Sequence, residues 1–182
     1  MSKIRLTESI IAKAGDYRKI ENLQEEAKTL LVEGKSYDVP YGGYEFPVWR
    51  LDEKNLNGRV YPKSLAEKVI KENRQTYCLM DHPKEEGSTK DIWGIARNPH
   101  VREGILYADV YPVGDHGRLV NDILKVGGDI GLSSSGLGEL DESNKIITET
   151  YELERYFDFV EKPSYQVYGK LENKKEEDDK PI

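Results

Sequence analysis

The chain has 182 residues, 37% hydrophobic and 34% charged, with a formal net charge of −7. That length suits one domain with its own core plus polar extensions, and the acidic balance excludes general nucleic-acid binding through clustered Lys and Arg. A single cysteine, Cys78, excludes an internal disulfide and a cysteine metal cluster.

No run has the length of a membrane span and the N-terminus has no apolar signal core, so an intracellular protein is expected. Residues 1–36 read as a charged helical arm. Ile4, Ile10, Ile11 and Ala14, then Ile20, Leu23, Ala27, Leu30 and Leu31, recur at helical spacing, and Gly34 is a stop signal. Such a segment fits a partner-binding arm, a removable pro-segment or a helix packed on the core.

Residues 37–170 form the main domain. Gly43 to Leu51 alternates as a strand, with Pro47 favouring an edge or bulge. A helix follows, with Ser64 and Glu67 at capping-box spacing and Leu65, Ala66, Val69 and Ile70 on one face. Tyr77 to Met80 is a short strand in which Cys78 reads as a core residue, and Ile92 to Ala96 is another. His100 to Tyr111 is a hairpin turning at Glu103-Gly104. Gly114-Asp115-His116-Gly117 opens a second helix that ends at Gly127-Gly128. Ile130 to Leu132 is a short strand running into Ser133, Ser134 and Ser135. Lys145 to Leu153 and Tyr156 to Val160 read as two more strands. Residues 171–182 are an acidic tail, expected to be disordered. Strand-rich with two or three helices, the pattern predicts an α+β fold with a mainly antiparallel sheet or barrel.

The serine run is framed by glycines, from Gly131 to Gly138. An acyl-transfer nucleophile needs an accessible hydroxyl, a nearby base and free backbone N–H groups. A turn or linker has the same composition. His82, between Asp81 and Pro83 at a strand end, is the first candidate base. His116 is the second, and His100 reads as structural. Asp158 interrupts the apolar run Tyr156, Phe157, Phe159, Val160, so a carboxylate buried there needs a partner such as an imidazole N–H. A metal-dependent hydrolase using His82, His116 and Asp residues lacks tight ligand spacing on one element. No metal or cofactor is expected.

Five segments occur in order: Asn57-Gly58-Arg59-Val60-Tyr61-Pro62, Asp81-His82-Pro83, Gly114-Asp115-His116-Gly117, Gly131 to Gly138, and Phe157-Asp158-Phe159-Val160 followed by Pro163-Ser164. Together they resemble the prohead core proteases of T-even-type tailed phages, within the wider procapsid protease group that includes the herpesvirus assemblins. The match spans roughly residues 44 to 168. The resemblance implies a small, mostly antiparallel β-barrel surrounded by helices. It also implies a serine endopeptidase of the Ser-His-Asp type, with Ser133 as nucleophile, His82 as general base and Asp158 as third member. Oxyanion donors would lie near Ser134, Ser135 and Gly136.

On the same resemblance, the substrates are scaffold or core proteins and the major capsid protein, cut inside the prohead in the host cytoplasm. Neither nucleic acid nor membrane is a partner, and a homo-oligomer is expected. Cleavage would follow Glu with Ile or Leu two residues earlier. That pattern occurs in the arm at Leu6-Thr7-Glu8, Leu23-Gln24-Glu25 and Leu31-Val32-Glu33 and in the body at Leu51-Asp52-Glu53 and Leu65-Ala66-Glu67, and self-cleavage of the arm after Glu33 is the expectation drawn from it. A pocket for Glu needs a cation, and Arg59, Arg97, Arg118 and Arg155 are candidates. The alternative is a catalytically inactive scaffold or core protein with the same fold.

Overall fold

Alternation decides the first strand. β1 (Ile4–Ala12) turns Leu6, Glu8, Ile10 and Ala12 inward, the period of two of an extended chain. The helical reading of residues 1–36 is therefore corrected among the described residues: β1, β2 (Arg18–Lys19) and β3 (Thr29–Val32) are strands, while Leu23-Gln24-Glu25 lies outside the described residues. Glu8 is the misleading residue, because a charge at an inward position hides the apolar alternation. The computed structural model describes residues 2–20, 28–81 and 91–161. His82, the loop that follows it and the acidic tail lie outside the described residues.

β4 (Lys35–Asp38) pairs with β3 as a hairpin that turns through Glu33 and Gly34, both at positive φ. β5 (Tyr44–Arg50) precedes α1 (Lys63–Glu72). The expected Ser64–Glu67 capping box is absent at the start of α1. Instead the Lys63 N–H donates to Asp52 Oδ1 at 3.0 Å, and Ser64 Oγ meets Thr148 Oγ1 at 2.6 Å. Asn73, left-handed, closes the helix. Next come β6 (Thr76–Leu79), β7 (Ile92–Arg102) and β8 (Ile105–Pro112). The last two form the hairpin expected at Glu103-Gly104, both residues at positive φ.

α2 (Gly114–Lys125) starts at a glycine of positive φ. Its second glycine, Gly117, is required by packing: a Cβ there would sit 2.7 Å from the Trp93 carbonyl oxygen and 2.8 Å from the Pro112 carbonyl carbon. β9 (Ile130–Gly138) does not stop at Leu132 but runs through all three serines. The strand expected over Lys145 to Leu153 is mostly turn and a 3-10 turn (Thr148–Thr150), and only β10 (Glu152–Phe159) is extended.

Beside the two-stranded β3–β4 hairpin, the described strands make two larger antiparallel sheets, β1-β9-β10 and β2-β5-β8-β7-β6. They meet at a seam where Met80 bridges Phe159 and the Asp81 N–H donates to the Phe159 carbonyl at 2.6 Å. Leu6, Ile10 and Leu132 of one sheet share a core with Phe46, Val48 and Trp93 of the other, closed by Leu65 and Val69 of α1 and Val120 and Leu124 of α2. The β3–β4 hairpin packs Leu30 and Val32 on Ile95 and Tyr111, a second, smaller cluster. Both faces of the five-stranded sheet are thereby covered, and β5 is buried almost throughout. The fold is α+β, two antiparallel sheets in a barrel-like arrangement flanked by two helices. Among the described residues no helix is long and apolar enough to cross a membrane.

Candidate functional site

β9 is the centre of its sheet, with β1 on one side and β10 on the other. Alternation sends the three serines to opposite faces. Ser134 turns to the core, where its hydroxyl accepts from Trp49 Nε1 at 3.0 Å. Ser133 and Ser135 lie on the other face, each about 1% exposed. Ser135 donates to Glu154 Oε1 at 2.7 Å, and Ser133 points back to the Ser134 carbonyl at 3.3 Å. Gly136 is needed because a Cβ there would fall 2.2 Å from the Tyr151 hydroxyl.

Asp158 stands opposite Ser133 in the β9–β10 register and is fully buried. β10 shifts register on either side of Arg155, and the bulge turns Arg155 toward its neighbour three residues on. Arg155 Nε donates to both Asp158 oxygens, at 2.9 and 3.0 Å, and the Leu79 N–H adds a longer bond at 3.3 Å. Burial, then the Asp158 charge, pushes the Cys78 thiol well above its ordinary range, in keeping with a core cysteine. Ser133 and Asp158, far apart in sequence, are thus brought together. His82 lies outside the described residues; the peptide just before it, Asp81, is tied to Phe159 beside Asp158. His116 is on α2, its Nε2 3.6 Å from Asp91 Oδ1.

Ser134, Ser135 and Gly136 are paired with β1 at Glu8, Thr7 and Leu6, so their amides belong to a central strand and not to an open loop. Two of the four candidate arginines are committed inside the fold: Arg155 to Asp158, and Arg59 to Glu8 at 2.5 Å and to the Thr7 carbonyl at 3.2 Å. Arg97 is half-buried on β7 and Arg118 is exposed on α2.

Sequence reasoning misses two carboxylate centres. Glu8, only 3% exposed, accepts from Asn55 Nδ2 (2.9 Å), Asn57 Nδ2 (2.8 Å), Arg59 Nη1 (2.5 Å) and the Tyr61 hydroxyl (2.6 Å). The segment Asn57 to Pro62 is therefore a structural lock on β1. Burial, and then the Glu8 charge, pushes the Tyr61 phenol far up. A glutamate at an inward position of an alternating run is the signal that could have revealed it.

The second centre is Glu45, 4% exposed on β5. Arg18 Nε and Arg102 Nη1 each donate to it at 2.9 Å, and His100 Nε2 lies 2.5 Å from Oε2. Burial pushes its carboxyl up, but the bonds from His100 and Arg102 outweigh this and hold it below the usual range. Asp109 is close by, and burial, against a bond from Asn98, pushes its carboxyl up. Glu45, His100 and Asp109 each place one ligand atom within 4.8 Å of the others.

This cluster corrects the expected chemistry. Among the described residues, the imidazole that meets two carboxylates is His100, with Glu45 and Asp109, and no serine belongs to that group. Asp158 holds a guanidinium at both oxygens. A serine endopeptidase of the Ser-His-Asp type, and the serine-protease class with it, is overturned by that finding.

The fold is shared with a solved structure of a capsid assembly protease. The bacteriophage T4 capsid assembly protease, gp21, matches this chain with a TM-score of 0.61 at 19% identity, over 93% of this chain and 100% of that one. No protein-family model matches the chain, and no curated protein sequence does.

Proposed function

We propose that this chain acts in proteolytic maturation of a phage capsid assembly, cutting scaffold or core proteins and the major capsid protein after glutamate within the immature particle. The observation that carries this reading is the fold shared with the T4 capsid assembly protease over 93% of the chain. Fold alone hosts many activities, so the site needs its own argument. The proposed site residues are Ser133 and Asp158 on β9 and β10, with His82 and the Ser134–Gly136 stretch, as the place where the substrate chain lies, and no nucleophilic role is assigned to Ser133. A fully buried Asp158 opposite a buried Ser133 is an expensive arrangement to keep for stability alone.

Self-processing fits one of the Glu-containing sites better than another. Glu33 and Gly34 are exposed at the tip of the β3–β4 hairpin, where nicking is tolerated. Glu8 is buried in β1. The arm cut after Glu33 is the proposed pro-segment.

Mass spectrometry of the purified chain incubated with scaffold and capsid proteins tests the reading, with Ser133→Ala and Asp158→Asn alongside. Cuts after Glu, the one at Glu33 among them, that vanish in both variants support it. Cuts that survive both move the site away from the β9–β10 seam. No cuts in any sample favour a scaffold or core protein with this fold.

A further inference from the structure

Glu45, His100 and Asp109 come from three adjacent strands, β5, β7 and β8. Glu45 and Asp109 oppose each other in the β5–β8 register, so two carboxylates share one cross-strand position, which like charges disfavour. The register shift in β7 between Arg97 and His100 sets the imidazole beside them. A cleft of about 620 Å³, lined by Arg18, Lys19, Asn98 and the three residues themselves, opens over the group.

The imidazole is oriented from outside the trio. Its Nδ1 lies 2.8 Å from the Asn98 carbonyl, an acceptor, so Nδ1 carries a hydrogen. Its Nε2 faces Glu45 Oε2 at 2.5 Å, and a carboxylate oxygen is also an acceptor. A lone pair aimed at a carboxylate needs a positive centre between them, either a hydrogen or a metal cation. Metal-ligating histidines characteristically donate their other ring N–H to a backbone carbonyl, the bond His100 makes to Asn98. Asn98 Nδ2 also holds Asp109 Oδ2 at 2.8 Å and so orients the second carboxylate.

We propose that Glu45, His100 and Asp109 bind a divalent transition-metal cation, which releases the hydrogen at His100 Nε2 to solvent as a proton while the imidazole and the Glu45 carboxylate part from their 2.5 Å contact to admit it. One imidazole nitrogen and two carboxylates on rigid strands suit zinc, cobalt or manganese. Arg18 and Arg102 compete with the cation for Glu45. Their side chains are 67% and 39% exposed, so both have water to turn into when it binds.

Cobalt(II) is the probe, titrated into the full chain and followed by its visible d–d absorption, with zinc(II) as competitor. One equivalent is expected to bind. Loss of a ligand in His100→Gln or Asp109→Asn should weaken binding by about tenfold or more, while Arg102→Gln should strengthen it and His116→Gln leave it unchanged. Urea unfolding without metal establishes that each variant folds. Wild-type protein that binds no cobalt, or binding untouched by His100→Gln and Asp109→Asn, overturns the site. So does binding that depends on His116, or that Arg102→Gln weakens, since a merely structural salt-bridge cluster predicts no gain there.

Discussion

Ser133 and Asp158 face each other across the β9–β10 ladder, and Arg155 reaches from three residues away to both oxygens of Asp158. A carboxylate with no exposed surface is tolerable only when paired and hydrogen-bonded. Asp158→Asn leaves a mostly buried guanidinium without its counter-charge. A loss of about 3–5 kcal/mol is expected in urea unfolding. Arg155→Met in the same background should recover part of it, giving a coupling energy in the double-mutant cycle. A loss under about 1 kcal/mol would show that Arg155 turns to water instead.

Glu8 is the mirror case on β1. Its four donors all come from the segment Asn55 to Tyr61, so one buried charge fastens the first strand to a loop some fifty residues later. Glu8→Ala strands Arg59 and Tyr61 together, and the expected cost is about 3–5 kcal/mol. Amide hydrogen exchange should show β1 losing protection before β9. Uniform loss across both strands would mean that the sheet opens as one unit and the lock adds nothing local.

The same lock bears on self-processing. A cut after Glu33 breaks the chain at an exposed turn, yet β1 remains paired with β9 over nine residue positions and held through Glu8. The fragment 1–33 is therefore expected to stay bound to 34–182. Size-exclusion chromatography of the nicked protein should show one peak containing both pieces, and Glu8→Ala should release the smaller. Separation of the pieces with Glu8 intact would count against this role for the lock.

Gly117 tests the meaning of Gly114-Asp115-His116-Gly117. A methyl group there meets backbone atoms of Trp93 and Pro112, which have no rotamer to turn away. Gly117→Ala should cost about 1–3 kcal/mol as α2 lifts from β7 and β8. Gly58→Ala meets no atom within 4 Å and strains only a positive φ, so about 1 kcal/mol is expected there. The thermal unfolding midpoints of the two variants give the comparison. Equal shifts would argue against a packing role for Gly117.

Asp141 offers a pH test. Its Oδ1 accepts from the Lys145 N–H at 3.0 Å, from the Ser143 N–H at 2.8 Å and from the Ser143 hydroxyl at 2.9 Å. The backbone bond from Lys145, followed by the Ser143 hydroxyl, holds the carboxyl below the usual Asp range. With the folded value below the unfolded one, the unfolded chain binds more protons between them. The contribution is therefore present above about pH 4 and lost as pH falls through the lower folded value. Carbon-13 carboxyl shifts should place the Asp141 midpoint below that of a model peptide. A midpoint at or above it would mean that the turn does not hold in solution.

Local features were readable where chemistry acts over a few residues. Glu103-Gly104 announces a hairpin because both positions need positive φ. α1 and α2 announce themselves through one apolar face and closing residues of left-handed or glycine type. β1 escapes because Glu8 occupies an inward position that only a distant loop can satisfy. The serine stretch of β9 escapes for a related reason. Small residues read as a turn until Trp49 and Tyr151 are seen packing against them.

The site divides in the same way. Ser133 and Asp158 can each be singled out from composition, but their apposition is a matter of register, and the bulge at Arg155 leaves no local mark. Glu45, His100 and Asp109 carry no motif at all, since strand order and a one-strand shift bring them together. By itself, then, the sequence determined the elements whose energetics are local: turns, two helices and the α+β class. Tertiary structure alone decided which buried charges meet, because a carboxylate's partner is chosen by strand pairing and desolvation across the sheet, and neither leaves a trace in the residues next to it.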